Sequence, residues 1–242
     1  SLPFILFFTA VSLFSEVKSN WSAPGFFPLM FIAAAYLEKN RKQDFVNPKT
    51  IPSPLSNSLL FLLLTIFLSF THYFSGLLVP DFKVNKTERI GNHDFTLEFF
   101  GWRTLSNEFR EIRERDLKDN IMSENSFILS SDWANAAHSD FYLASPNKMI
   151  VKTIGEIEDT RKYAWITGEH GTFKYGESAY YIESSRDFPN AENLAGQYFS
   201  EYQKIKSIYI KKLGKPVLRF NIYRLKNLNR IPDRKLSSFT KY

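Results

Sequence analysis

The stretch from Leu55 to Val79 limits most what this chain can be. It holds 25 residues with no Asp, Glu, Lys or Arg, and its centre reads Leu-Leu-Phe-Leu-Leu-Leu-Thr-Ile-Phe-Leu-Ser-Phe. As a helix rising 1.5 Å per residue it would be about 37 Å long, enough to cross a hydrocarbon core of roughly 30 Å with some tilt. Two more apolar stretches precede it. Leu2 to Phe14 has 13 residues and is too short to span alone, so it reads as the end of a helix that begins upstream of Ser1. Trp21 to Leu37 has 17, at the lower limit for a span. A re-entrant or interfacial helix is the other reading of that segment.

Charge divides the chain in the same place. Leu2 to Val79 carries five basic and three acidic residues, whereas Pro80 to Tyr242 carries 26 and 22. One water-soluble globule does not partition charge in this way, and the apolar content excludes disorder. We therefore expect a membrane α-helical segment of about three helices over residues 1–79, part of a larger polytopic bundle. A small α/β or α+β extracytoplasmic domain follows over residues 80–230, and a basic tail over 231–242. The loop from Glu38 to Pro54 holds Lys39, Arg41, Lys42 and Lys49, against Lys18 alone between Ser15 and Asn20. Basic loops stay in the cytoplasm. Parity then places Lys18 and everything after Pro80 outside it. The prolines of Ile51-Pro-Ser-Pro-Leu-Ser-Asn57 read as a turn entering the last membrane helix.

Beyond Pro80 the periods change. Thr96–Phe100 reads as a short strand. In Gly101–Asn120, the apolar positions Trp102, Leu105, Phe109, Ile112 and Leu117 are spaced as on one helical face. Phe127–Leu129 begins a strand, and Asp132 can cap a helix over Trp133–Leu143. Met149–Val151, Tyr163–Thr167 and Tyr180–Glu183 read as strands. Tyr198–Leu213 and Val217–Leu225 form a hairpin about the Leu213-Gly-Lys-Pro216 turn.

Much chemistry is excluded. The chain has no Cys, so thiolate nucleophiles and cysteine metal sites are absent. His72, His93, His138 and His170 are scattered, and no nucleotide cradle or nucleophile elbow is present, so we expect neither metal nor cofactor. His72 lies inside the last apolar stretch, where a helix-packing hydrogen bond is its simplest role. Lys204 to Tyr242 has twelve basic residues and one acid. On a domain outside the cytoplasm that charge suits anionic head groups or glycans rather than nucleic acid, and a solvated strand face with a loose tail after Arg230 is the equal alternative. Between the first two apolar stretches lies Lys18-Ser-Asn-Trp-Ser-Ala-Pro24. There Lys18 can neutralise a phosphate, Asn20 can donate to it, and Trp21 can pack on a lipid chain. A snorkelling lysine beside an interfacial tryptophan is the plainer alternative.

These pieces carry a resemblance. Val17-Lys-Ser-Asn-Trp-Ser-Ala-Pro24, Gly101-Trp-Arg-Thr-Leu105, Phe127-Ile-Leu-Ser-Ser-Asp-Trp-Ala-Asn-Ala-Ala-His-Ser-Asp-Phe-Tyr-Leu143 and Arg219-Phe-Asn-Ile-Tyr-Arg-Leu225 stand in that order along residues 2–228. The pattern resembles the C-terminal part of bacterial membrane glycosyltransferases of the dolichyl-phosphate-mannose–protein mannosyltransferase type, which include the 4-amino-arabinose lipid A transferases. Glu156 to Asn193 departs from that pattern. The resemblance implies an extracytoplasmic transfer of a sugar from a polyprenyl-phosphate donor to a lipid, glycan or protein acceptor, with inversion. It also implies that the catalytic carboxylate lies upstream of Ser1, leaving no catalytic residue in this chain. Lys18, Asn20 and Trp21 would then hold the donor's lipid phosphate. The expected partners are that donor, membrane lipids and the extracytoplasmic acceptor. The rival expectation is a membrane-anchored extracytoplasmic binding or assembly module without chemistry.

Overall fold

The computed structural model describes residues 2–14, 23–39, 53–76, 90–91, 94–186, 193 and 195–232. The chain divides into two compact units at Ile66/Phe67. The N-terminal part is helical: α1 is Leu2–Val11, α2 is Ala23–Lys39 and α3 is Ser53–Ser75.

Nothing in α1 or α3 is buried, and in α2 only Gly25 is. An apolar helix at the core of a soluble protein would be covered, and α3 is not. Its hydroxyls turn inward on the helix instead. Ser58 Oγ donates to the Pro54 carbonyl, Thr65 Oγ1 to that of Phe61 and Thr71 Oγ1 to that of Phe67, each at 2.8 Å. Self-satisfied polar groups on a bare apolar helix are what hydrocarbon requires. Among the described residues α3 is the one helix long and apolar enough to cross a membrane, and the chain has the profile of a membrane-linked protein. α2 is a 17-residue helix with Pro28 inside it. Of the segment expected as a turn, Ile51 and Pro52 lie outside the described residues, and Ser53–Asn57 open α3. Pro54 is its second residue, where the missing N–H has no helical partner to lose.

The second unit holds a five-stranded sheet in the order β2-β1-β3-β5-β4. Its strands are β1 (Phe127–Ser130), β2 (Val151–Thr153), β3 (Ala179–Ser184), β4 (Phe199–Lys212) and β5 (Lys215–Leu228). β1 runs parallel to β2 and β3, while β5 is antiparallel to both β3 and β4. Helix α4 (Trp102–Lys118) and α5 (Trp133–Ser139) lie in sequence before and after β1, and α6 (Ile157–Thr160) and α7 (Lys162–Glu169) connect β2 to β3. The unit is therefore a small mixed α/β domain.

Alternation along the strands feeds two cores. Ile128, Tyr180, Ile182, Phe220 and Ile222 join Trp102, Leu105, Phe109 and Ile112 of α4 in one. Phe127, Leu129, Tyr181, Tyr223 and Leu225 build the other with Phe173 and Phe199. A carboxylate closes the first layer. Asp116 of α4, fully buried, accepts from Tyr180 Oη at 2.8 Å and from Arg224 Nε at 2.7 Å, while a second Arg224 N–H bonds its other oxygen. On the opposite layer Glu183 accepts from Asn221 Nδ2 at 2.7 Å and Tyr223 Oη at 2.8 Å.

Two expected strands are helices. Of Thr96–Phe100, all but the extended cap Phe100 lies in a 3-10 turn, Phe95–Phe99, because Asp94 Oδ1 accepts from Thr96 N at 2.9 Å and from Thr96 Oγ1 at 2.5 Å. That cap wins over the short apolar run. Tyr163–Thr167 lies inside α7, where only Thr167 is buried and its hydroxyl donates back to the Tyr163 carbonyl at 2.7 Å. The helix capped by Asp132 is shorter than expected. It gives way at Asp140 to a wider π turn through Ala144. The strand expected at Met149–Val151 begins two residues later, at Val151.

His72, in the last turns of α3, places Nε2 3.3 Å from Asp94 Oδ1. Its partner is thus a carboxylate 22 residues on. Lys212 Nζ, on β4, sits 3.9 Å from the other Asp94 oxygen and 4.7 Å above the Phe100 ring. Burial alone would raise the Asp94 pKa, but the two Thr96 donors, His72 and the Lys212 charge together hold it below the ordinary carboxylate value. Burial lowers that of Lys212 despite Asp94.

Candidate functional site

Lys18, Asn20 and Trp21, the residues expected to hold a lipid phosphate, lie outside the described residues. So do residues 233–242 of the basic tail. The domain itself contains a cleft, and strand order explains where it forms. β1 lies between β2 and β3, so the chain leaving β1 turns toward β2, while the chain leaving β3 heads for the β5–β4 side. Divergent connections at neighbouring parallel strands leave a crevice beyond their carboxyl ends, where open α/β sheets bind ligands.

The crevice has a volume of about 210 Å³. Asp132, Ala134, Asn135 and His138 line it from the segment after β1, and Ser184 and Arg186 from the end of β3. Leu97 and Glu98 of the 3-10 turn, with Trp102, close a third side over Leu218 and Phe220 of β5. Local chemistry fixes each wall. Asp132 Oδ1 accepts from Asn135 N at 2.8 Å and its Oδ2 from Asn135 Nδ2 at 2.7 Å, which starts α5 and aims His138 inward. Gly101 has φ +83°, and a Cβ there would stand 2.7 Å from Ile210 Cγ1. That glycine lets α4 begin tight against β4, which sets Trp102 at the cleft.

Trp102 is the centre of an aromatic stack. The His138 ring lies on it at 4.8 Å and 20°, Phe220 packs at 5.0 Å, and its Nε1–H donates to the Glu98 carbonyl at 2.9 Å. Phe99 meets His138 edge-on at 5.4 Å. Burial lowers the His138 pKa from its ordinary 6.5; Glu98 and Asp132 oppose that shift and Arg186 adds to it. The ring is therefore a neutral imidazole at neutral pH, able to donate from one nitrogen and accept at the other. Arg186 Nε is buried and has no hydrogen-bond partner among the described residues.

The crevice thus joins one guanidinium, two carboxylates and a neutral imidazole beside an aromatic wall. That set can bind a small polar group by hydrogen bonds from several directions. Among the described residues no three His, Asp or Glu side chains gather as a metal site. Sequence reasoning took Asp132 as a helix cap and His138 as one of four scattered histidines, and passed over Glu98 and Arg186. The available signal was that Trp102, Asp132, His138 and Phe220 fall within three of the motif pieces; Glu98 and Arg186 lie in none. No protein-family model, curated protein or solved structure matches this chain.

Proposed function

We propose that this chain is the C-terminal part of an integral-membrane glycosyltransferase that moves a sugar from a polyprenyl-phosphate donor to an extracytoplasmic acceptor. One observation carries the reading. Three sequence-distant pieces of the resemblance meet in a single stack, through Trp102, His138 and Phe220. The bare apolar surface of α3 supports a membrane setting, with α1 and α2 as neighbouring spans of a bacterial inner-membrane bundle and the α/β domain outside the cytoplasm.

The chemistry divides between lipid and domain. A polyprenyl phosphate departs readily once its charge is met, so the donor needs a cation near the phosphate and a base for the acceptor. Lys18 supplies the cation, Asn20 a hydrogen bond and Trp21 a surface for the isoprenoid. The base is a carboxylate upstream of this segment. The crevice favours, as a second reading, a membrane-anchored binding module without transfer.

The test is sugar transfer by the full-length gene product in detergent with a panel of polyprenyl-phosphate sugars, with and without Lys18→Ala. Transfer that Lys18→Ala abolishes, while the variant still folds, upholds the reading. Absence of both donor binding and transfer across the panel leaves the binding module.

A further inference from the structure

We infer that the crevice beyond β1 and β3 is a binding site for a single neutral pyranose ring. Its size comes first. At about 210 Å³ it falls below the roughly 300–1,000 Å³ of pockets for drug-sized ligands, so it takes one ring or end group and not an extended chain.

Polarity chooses among small ligands. Glu98 lines one wall, and Arg186, whose buried Nε has no hydrogen-bond partner among the described residues, lines another. An acceptor-only group and a donor-only group therefore face one space. A hydroxyl answers both, accepting from the guanidinium and donating to the carboxylate. A pair of hydroxyls on adjacent ring carbons reaches both walls at once. The neutral His138 adds a donor and an acceptor, and Asn135 brings an amide.

An anion fits poorly. Glu98 and Asp132 place two negative charges around the one positive charge of Arg186, so a phosphate or carboxylate meets net repulsion. A purely apolar ligand would leave Arg186 Nε buried and unpaired, which costs more than the contact gains.

The site itself rests on the crevice alone. Its part in transfer, as the seat of the acceptor's terminal sugar, rests on the glycosyltransferase reading. The experiment separates the two. Saturation-transfer NMR on the full-length protein in nanodiscs would titrate the methyl gluco-, galacto- and mannopyranosides, with inorganic phosphate as the competing probe. At least one pyranoside should bind. Glu98→Gln and Arg186→Gln should each weaken it about tenfold or more, with melting temperatures unchanged. Glu98→Gln is the safer variant to fold, because Trp102 bonds the Glu98 main chain and not its carboxylate. Binding that both variants lose, with or without transfer activity, supports the site. Phosphate binding in place of the pyranosides, binding that survives both variants, or no pyranoside binding by a folded protein overturns it. None of these outcomes bears on donor transfer, which the Lys18→Ala assay reads separately.

Discussion

Helices α3 and α4 belong to one chain and follow opposite rules. α3 is apolar on all sides and buries nothing over 23 residues. α4 is strongly charged, yet buries Trp102, Leu105, Phe109, Ile112, Arg113 and Asp116 as one stripe over 17. A helix records its surroundings in the width of its apolar face. The narrow stripe of α4 matches a sheet on one side and water on the other. The complete apolar circumference of α3 matches a medium that is apolar all round. Loss of packing should therefore be felt in α4 and hardly at all on α3.

The largest contrast comes from truncating one phenylalanine and one leucine. Phe109 is fully buried and meets Tyr180 edge-on at 5.0 Å. Phe109→Ala should cost the domain about 3–5 kcal/mol in denaturant unfolding. Leu62→Ala, at a residue 53 % exposed on α3, should leave the same transition within about 0.5 kcal/mol. Equal effects would break the comparison.

A charge inverts the contrast. Leu63→Asp should raise the cost of inserting α3 by about 3–4 kcal/mol, read as the fraction of chain integrated in a membrane-insertion assay. Asn107→Asp, on the exposed face of α4, should change neither insertion nor folding.

A smaller effect lies where α4 begins. Gly101→Ala places a Cβ against the buried Ile210 at a positive φ, and should destabilise the domain by about 1–3 kcal/mol. The same substitution moves Trp102 and should loosen its stack with His138, which near-ultraviolet circular dichroism would detect.

Smallest is the pH dependence of the ionic pair behind α3. The folded-state pKa of Asp94 lies below its ordinary 3.8, so its contribution is complete above that value and fades as pH falls through the lowered one. Lys212 is also lowered, from 10.5, so deprotonation begins first in the folded state and its contribution grows as pH rises toward 10.5. Unfolding midpoints measured from pH 5 down to 2 should fall less steeply in Asp94→Asn than in the parent. Parallel slopes would remove Asp94 from the account.

How much of this was legible in the sequence follows the same physics. The α4 stripe was readable as one helical period, and the β4–β5 hairpin from its turn signal at Leu213-Gly214, although its pairing slips between Lys204 and Lys206 and between Ile210 and Lys211. Phe95–Phe99 was not, because a single side chain, Asp94, captures Thr96 and overrides the apolar run. Nor was α7, a short helix that buries only Thr167 and so shows no face. The crevice was legible in halves. Trp102, His138 and Phe220 stood in motif pieces, but their meeting depends on the sheet order, and Glu98 and Arg186 carried no pattern at all. Lys18, Asn20 and Trp21 stand as the sequence left them, outside the described residues.

We propose that α3 crosses the membrane, with the basic loop in the cytoplasm and the α/β domain outside. These 242 residues hold no cysteine, so in a full-length protein cleared of any other cysteine single introduced thiols report topology without background. Glu201→Cys on the exposed edge of β4 and Lys42→Cys in the basic loop would be treated with a membrane-impermeant maleimide on intact spheroplasts. The account predicts labelling of Glu201→Cys at once and of Lys42→Cys only after lysis. Labelling of Glu201→Cys only after lysis, or of both sites before it, would contradict it.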